Sequence, residues 1–112
     1  MNLSYEGIGY LAVTIPSITC VAGQLCKLNL VGQGEVCKDG DPFFGFVERV
    51  TEYRAAVQIE GFLEVSYTGP TPACGYTKLS SNGNGGVKLD DAGREYLVVD
   101  LKSSESKITI KL

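Results

Sequence analysis

Apolar residues recur at every second position along most of this chain, and residues that turn the backbone interrupt the runs at short intervals. Leu11, Val13 and Ile15 alternate with Ala12 and Thr14, Leu28 and Leu30 flank Asn29, and Ile108, Ile110 and Leu112 alternate with Thr109 and Lys111. A period of two places the apolar side chains on one face of a strand and leaves the other face wet, whereas the three-and-four spacing of a helix is almost absent. The runs FFGFVERV from Phe43 and AAVQIEGFLEVSY from Ala55 are rich in the aromatic and β-branched residues that strands favour. Between runs stand Ala22-Gly23, Gly32-Gln33-Gly34, Asp39-Gly40-Asp41-Pro42, Gly69-Pro70-Thr71-Pro72, Ser81-Asn82-Gly83-Asn84-Gly85-Gly86 and Ala92-Gly93, which tolerate positive φ or preset a turn. The pattern predicts an all-β fold, a single small, mostly antiparallel β-barrel or sandwich of about eight short strands, with a helical turn only around Asp90 to Arg94.

With 112 residues there is room for one core, assigned to residues 11–112. Residues 1–10 form an N-terminal arm, because Gly7 and Gly9 break any strand before it can pair. Two roles fit it: a frayed, flexible terminus, or a segment that orders by adding to a partner's sheet through Leu3, Tyr5 and Ile8. Glycine is over-represented, at 14 residues, and two of these fall inside strand patterns. Gly45 and Gly61 each precede a similar run, Phe46-Val47-Glu48 and Phe62-Leu63-Glu64, and are read as bulges or bends that curve the sheet.

The chain has no His, which removes Ser-His-Asp and Cys-His activation, HExxH zinc sites and imidazole base catalysis together. A net charge of −3, from 10 basic and 13 acidic residues, gives no overall positive field for a phosphate backbone. No run approaches the ~18 apolar residues of a membrane helix, and MNLSYEGIGYLAVTI has neither the basic n-region nor the continuous h-region of a secretory signal. Synthesis in the cytoplasm without export by a signal peptide is therefore expected. Cys20, Cys26, Cys37 and Cys74 form no CxxC knuckle, so they are read as buried thiols in a reducing compartment, with a disulfide formed after release as the alternative.

The remaining polar clusters are weak as chemistry. Asp39 and Asp41 have a DxD spacing near Glu48, but Gly40 and Pro42 fit a solvated turn better than a cation loop. Glu60 and Glu64 on one strand would stand roughly 13 Å apart, beyond the ~5–9.5 Å of paired glycosidase carboxylates. Residues 81–86 resemble a phosphate loop in composition but lack GK[ST] and precede strand-like Val87-Lys88-Leu89, so a hairpin is expected. Arg94, Lys102, Lys107 and Lys111 with Tyr53, Tyr67, Tyr76 and Tyr96 could offer a stacking surface, diluted by Asp90, Asp91, Glu95, Asp100 and Glu105. No metal or cofactor is expected.

Taken in order, VAGQLCKL, DPFFGFVERV, AAVQIEGFLEVSYTG, ACGYTKL, NGGVKL, GREYLVVDL and SKITIKL give a chain that resembles the capsid decoration, or cement, proteins of tailed bacteriophages. The matching positions are Gly23, Gly45-Phe46-Val47, Val57 to Gly61, Gly75-Tyr76 and Ile108-Thr109-Ile110; the four cysteines and the slightly acidic balance depart from the pattern. The resemblance implies a small β-barrel that performs no catalysis, sits on capsomer junctions of the major capsid protein, often as a homotrimer, and belongs to the virion. From the residues themselves, Phe43, Phe44, Phe46 and Phe62 exceed what one wet-faced sheet needs; Phe43 and Phe44 are expected at a subunit interface, with the capping of a barrel end by one of them as the alternative. The competing expectation is a small OB-like or SH3-like module that takes nucleic acid or oligosaccharide on a sheet face. An enzyme would need a thiolate or carboxylate pair that the spacing does not advertise.

Overall fold

A computed structural model describes residues 11–17 and 19–112, and the alternating runs become ten strands with no α-helix among the described residues. Strands β1 (Leu11–Pro16), β2 (Leu25–Leu28), β3 (Gly34–Val36), β4 (Gly45–Thr51) and β5 (Arg54–Glu60) form an open antiparallel sheet in the order β1-β5-β4-β2-β3. Strands β6 (Phe62–Thr68), β7 (Gly75–Ser81), β8 (Val87–Leu89), β9 (Arg94–Lys102) and β10 (Lys107–Lys111) close into a barrel in the cyclic order β10-β6-β8-β7-β9. Its pairs are antiparallel except β6 with β8, where Tyr67 lies opposite Val87 and Thr68 opposite Lys88. The all-β expectation holds, as a barrel joined to a second sheet. Ten strands stand where about eight are expected, because β3 is only three residues and too short to show a period, and because the run from Ala55 to Tyr67 divides into β5 and β6.

Gly61 is where the two halves meet. It takes φ +98°, which a side chain resists, and it turns the chain out of β5 and into β6. The run from Ala55 to Tyr67 is thus two strands in two sheets, and Gly61 is a bend between strands. The bend is held by Gln58, a buried side chain whose Nε2 donates to the carbonyls of Glu60 (3.2 Å) and Phe62 (3.0 Å), while the Leu112 amide donates to the Gly61 carbonyl (2.9 Å). Gly45 differs from expectation: the register of β4 shifts between Val47 and Arg49, beyond it, so Gly45 is no bulge. It opens β4 hard against β5, and a Cβ there would lie 2.5 Å from both the Gln58 carbonyl oxygen and Val57 Cγ1. Close approach of two backbones requires the glycine.

Both faces are covered where β2 and β4 begin, at Leu25-Cys26 and from Gly45 to Val47, which explains why LCKL shows no clean alternation. Leu25 and Phe46 face a core shared with the barrel residues Leu63, Val65, Leu79, Val98, Ile108 and Ile110. Their neighbours Cys26 and Val47 face a smaller core with Cys20, Ala55 and Val57, flanked by Ile15, Phe44 and Ile59. Adjacent residues of a strand point to opposite faces, so one short segment serves two cores. The region around Asp90 is a tight turn, in which the carboxylate accepts the Ala92 amide (2.9 Å) and its carbonyl accepts the Gly93 amide (2.8 Å). A single 3-10 turn, Ser103–Glu105, joins β9 to β10.

Candidate protein-docking site

The hairpin joining β2 to β3 carries the most exposed aliphatic side chains of the described residues. The Leu28-Asn29-Leu30 alternation ends as a strand at Leu28, and Leu30 and Val31 stand on the turn at 106% and 77% relative exposure, with Leu28 at 51%. Asn29 makes this turn rigid. Its Oδ1 accepts the amides of Val31 (3.0 Å) and Gln33 (2.9 Å), its Nδ2 donates to Gln33 Oε1 (3.1 Å), and its own amide donates to the Gln33 carbonyl (2.9 Å). Gly32 supplies the positive φ, +84°. An Asn side chain that bonds its own backbone two residues on is the Asx device of tight turns.

The β7–β8 hairpin is built by the same device and acts as an internal control. Asn82 Oδ1 accepts the amides of Asn84 (2.8 Å) and Gly86 (3.1 Å), the Asn82 amide donates to the Gly86 carbonyl (3.0 Å), and Gly85, three residues after the Asn, takes φ +85°. Between Asn and Gly this second loop carries Gly83 and Asn84, the first Leu30 and Val31. The closure of an Asn-x-x-Gly-x loop therefore does not need apolar residues at its apex. Fixing two aliphatic side chains in water on a pre-ordered turn has no return within the chain, and it lowers the ordering cost of inserting them into an apolar cleft on another protein.

Beside the tip, Lys27, Leu28, Pro42, Phe43, Phe44 and Arg94 line a shallow groove of about 330 Å³. Phe43 is only 2% exposed, stacks on Tyr96 at 4.5 Å between ring centroids, and accepts the Tyr96 hydroxyl on its carbonyl. Burial pushes the Tyr96 phenol pKa upward, in keeping with a neutral donor. Phe43 is therefore an anchor of the barrel core and leaves only an edge to a partner. Phe44, half-buried, packs on the second core. Phe43 and Phe44 thus serve two cores of the same chain. Leu3, Tyr5 and Ile8, with the whole arm 1–10, lie outside the described residues.

The polar clusters resolve into structural pairs. Asp39 pairs with Lys88 (3.0 Å) and Asp41 with Lys27 (2.7 Å), so the DxD carboxylates diverge. Glu64 is engaged by Lys102 (3.0 Å) and Lys107 (3.7 Å), on the far side of the Gly61 bend from Glu60. In the 81–86 loop the amides of Gly83, Asn84 and Gly86 are already bonded to Ser81 and Asn82 side chains, as a hairpin requires. Tyr67 and Tyr96 are buried, whereas Tyr53 is exposed on the β4–β5 turn and Tyr76 on β7 of the barrel. No group of three or more Cys, Asp or Glu placed to hold a metal occurs among the described residues.

The Lys27–Asp41 pair clamps the groove edge and yields a pH prediction. The Lys27 ammonium, and then the Lys38 amide at 2.8 Å, hold the Asp41 carboxyl below its ordinary range, while Asp41 raises the Lys27 pKa. A carboxyl depressed in the folded state adds stability above its unfolded pKa and loses it as pH falls through the folded one. With both side chains about a quarter exposed, the pair is worth about 1 kcal/mol at most. Urea titrations should find Asp41→Asn weaker than wild type by up to about 1 kcal/mol at pH 6, with the gap closing as pH falls below the ordinary carboxylate range and the folded carboxyl takes up its proton.

Comparison of the chain with protein-family models, with curated proteins and with solved structures gave no match. Among the described residues, no helix is long and apolar enough to cross a membrane.

Proposed function

We propose that this chain is a non-enzymatic structural protein of a phage or prophage virion, a decoration protein that binds the major capsid protein and reinforces the head shell. The observation that supports the reading best is the Leu30–Val31 apex, apolar where the equivalent Asn82 loop is polar. The resemblance in glycine placement and strand order adds the virion as the setting, a homotrimer as the working assembly and the bacterial cytoplasm as the place of synthesis. The arm, with Leu3, Tyr5 and Ile8, would add a second attachment by pairing with a neighbour's sheet.

The test is direct. Purified protein mixed at micromolar concentration with empty heads of the phage that encodes it should pellet with them, and light scattering should give the mass of three chains. Protein that stays in the supernatant would count against the reading.

The binding-module reading keeps one observation in its favour. Tyr76, Arg94, Tyr96 and Lys111 line a groove of about 370 Å³ on the barrel, with the Arg94 guanidinium 5.3 Å from the Tyr96 ring centre. If single-stranded nucleic acid binds there, affinity for a labelled oligonucleotide must fall as salt rises. An oligonucleotide that fails to bind at low salt removes the nucleic-acid form of it.

A further inference from the structure

The second core contains two sulfur atoms in contact. Cys20 Sγ and Cys26 Sγ lie 3.5 Å apart, both buried, among Val47, Ala55 and Val57. The backbone opposite them is kept bare: a Cβ on Gly34 would stand 2.7 Å from Ile15 Cδ1, 2.9 Å from Cys20 Sγ and 3.3 Å from Cys26 Sγ, so a side chain at that position crowds the site. Cys26 is fixed in β2, opposite Val36 and Gly45. Cys20 lies in the connection between β1 and β2, where its amide donates to Ser17 Oγ (3.1 Å) and no strand pairing holds it. The other two cysteines are placed differently. Cys37 Sγ is directed at the Pro42 carbonyl (3.6 Å) and lies in the barrel core, and Cys74 is exposed.

We infer that Cys20 and Cys26 are a built cross-link site, which closes to a disulfide when the protein meets a low-molecular-weight disulfide such as oxidised glutathione and stays open in a reducing cytoplasm. A disulfide needs the sulfurs about 2.05 Å apart, a shift of about 1.5 Å from contact, and the irregular Cys20 segment can supply it. Burial and the neighbouring Cys20 thiol raise the pKa of Cys26. Exchange begins at Cys20, which keeps 8% exposure where Cys26 has none, so an incoming disulfide reaches it first. The Cys20 thiolate attacks one sulfur of the small disulfide, whose S–S bond breaks and releases one thiolate. Cys26, losing its proton, then attacks Cys20 Sγ of the mixed disulfide and expels the second thiolate. Two protein thiols are oxidised, one small disulfide is reduced to two thiols, and the protons pass to the leaving thiolates. The bond would tie the β1–β2 connection to β2 across a core of only five buried residues, Cys20, Cys26, Val47, Ala55 and Val57, where a staple has most to add.

The inference is independent of the virion reading, because it is tested on the purified chain alone. Wild-type protein is refolded from denaturant in a glutathione buffer poised to oxidise protein dithiols, alkylated, and digested without reduction. The expected result is one intramolecular bond, Cys20 to Cys26, with free Cys37, a Tm higher by roughly 5–10 °C than that of the reduced protein, and return to the lower Tm on reduction. Cys20→Ser and Cys26→Ser should each lose the bond and the redox dependence of Tm. Recovery of Cys20 and Cys26 as alkylated thiols, or a mixture of pairings that includes Cys37 and Cys74, would overturn the inference, and both are read on the wild-type chain whether or not the variants fold.

Discussion

Phe43→Ala should cost about 3–5 kcal/mol of folding free energy, the range for removing a buried aromatic ring from a packed core. The ring is 2% exposed and lies flat on Tyr96, with 1° between the ring planes, so the neighbours it leaves cannot collapse onto the space from one side. The Tyr96 hydroxyl is tied to the Phe43 backbone carbonyl, which the substitution retains but no longer positions. Against a typical total of about 5–15 kcal/mol for a small domain, a loss of that size leaves a chain that unfolds at low urea. Phe44→Ala, at a half-buried position on the smaller core, should cost clearly less. Equal effects from the two substitutions, measured by urea unfolding, would show that Phe43 does not anchor the barrel as described.

The second large effect is on binding and should leave stability nearly untouched. Replacing Leu30 with Ser and Val31 with Asn gives the β2–β3 apex a polar character like that of the Asn82 loop. Neither side chain packs within the chain, and Leu30 avoids the positive φ that Gly83 takes, so unfolding should change by about 0.5 kcal/mol or less. If the two side chains are buried in a partner's cleft, their removal forfeits roughly 3 kcal/mol of apolar transfer, or about a hundredfold in Kd. Asn29→Ala should act in the same direction more weakly, since it frees the Val31 and Gln33 amides and loosens the tip without removing its apolar surface.

The strands were legible where they ran long enough for the period of two to speak. β6 follows it residue by residue, with Leu63, Val65 and Tyr67 buried and Glu64, Ser66 and Thr68 exposed. The division into an open sheet and a barrel was hidden because Gly61 reads equally as a bulge within one strand and as a bend between two. What separates these is the Leu112 amide, which reaches the Gly61 carbonyl from the far end of the chain, and the turn of the Gln58 side chain back onto the carbonyls on either side of the bend. Phe43 and Phe44 were hard to assign for a related reason: adjacent residues take opposite sides, and only the fold shows that both sides are interior. The apolar tip of the β2–β3 hairpin was missed because Leu28 and Leu30 mimic a strand. The signal was present in Asn29 and Gly32, which repeat the spacing of Asn82 and Gly85.

The most direct test of a decoration role is a sedimentation titration on empty heads, with wild type and the Leu30→Ser/Val31→Asn variant run side by side and their urea midpoints measured in parallel. The account predicts saturable binding of the wild type, about a hundredfold weaker binding of the variant, and closely matching midpoints. Equal binding of the two proteins would contradict the tip as the docking element, and absence of wild-type binding would contradict the decoration role itself.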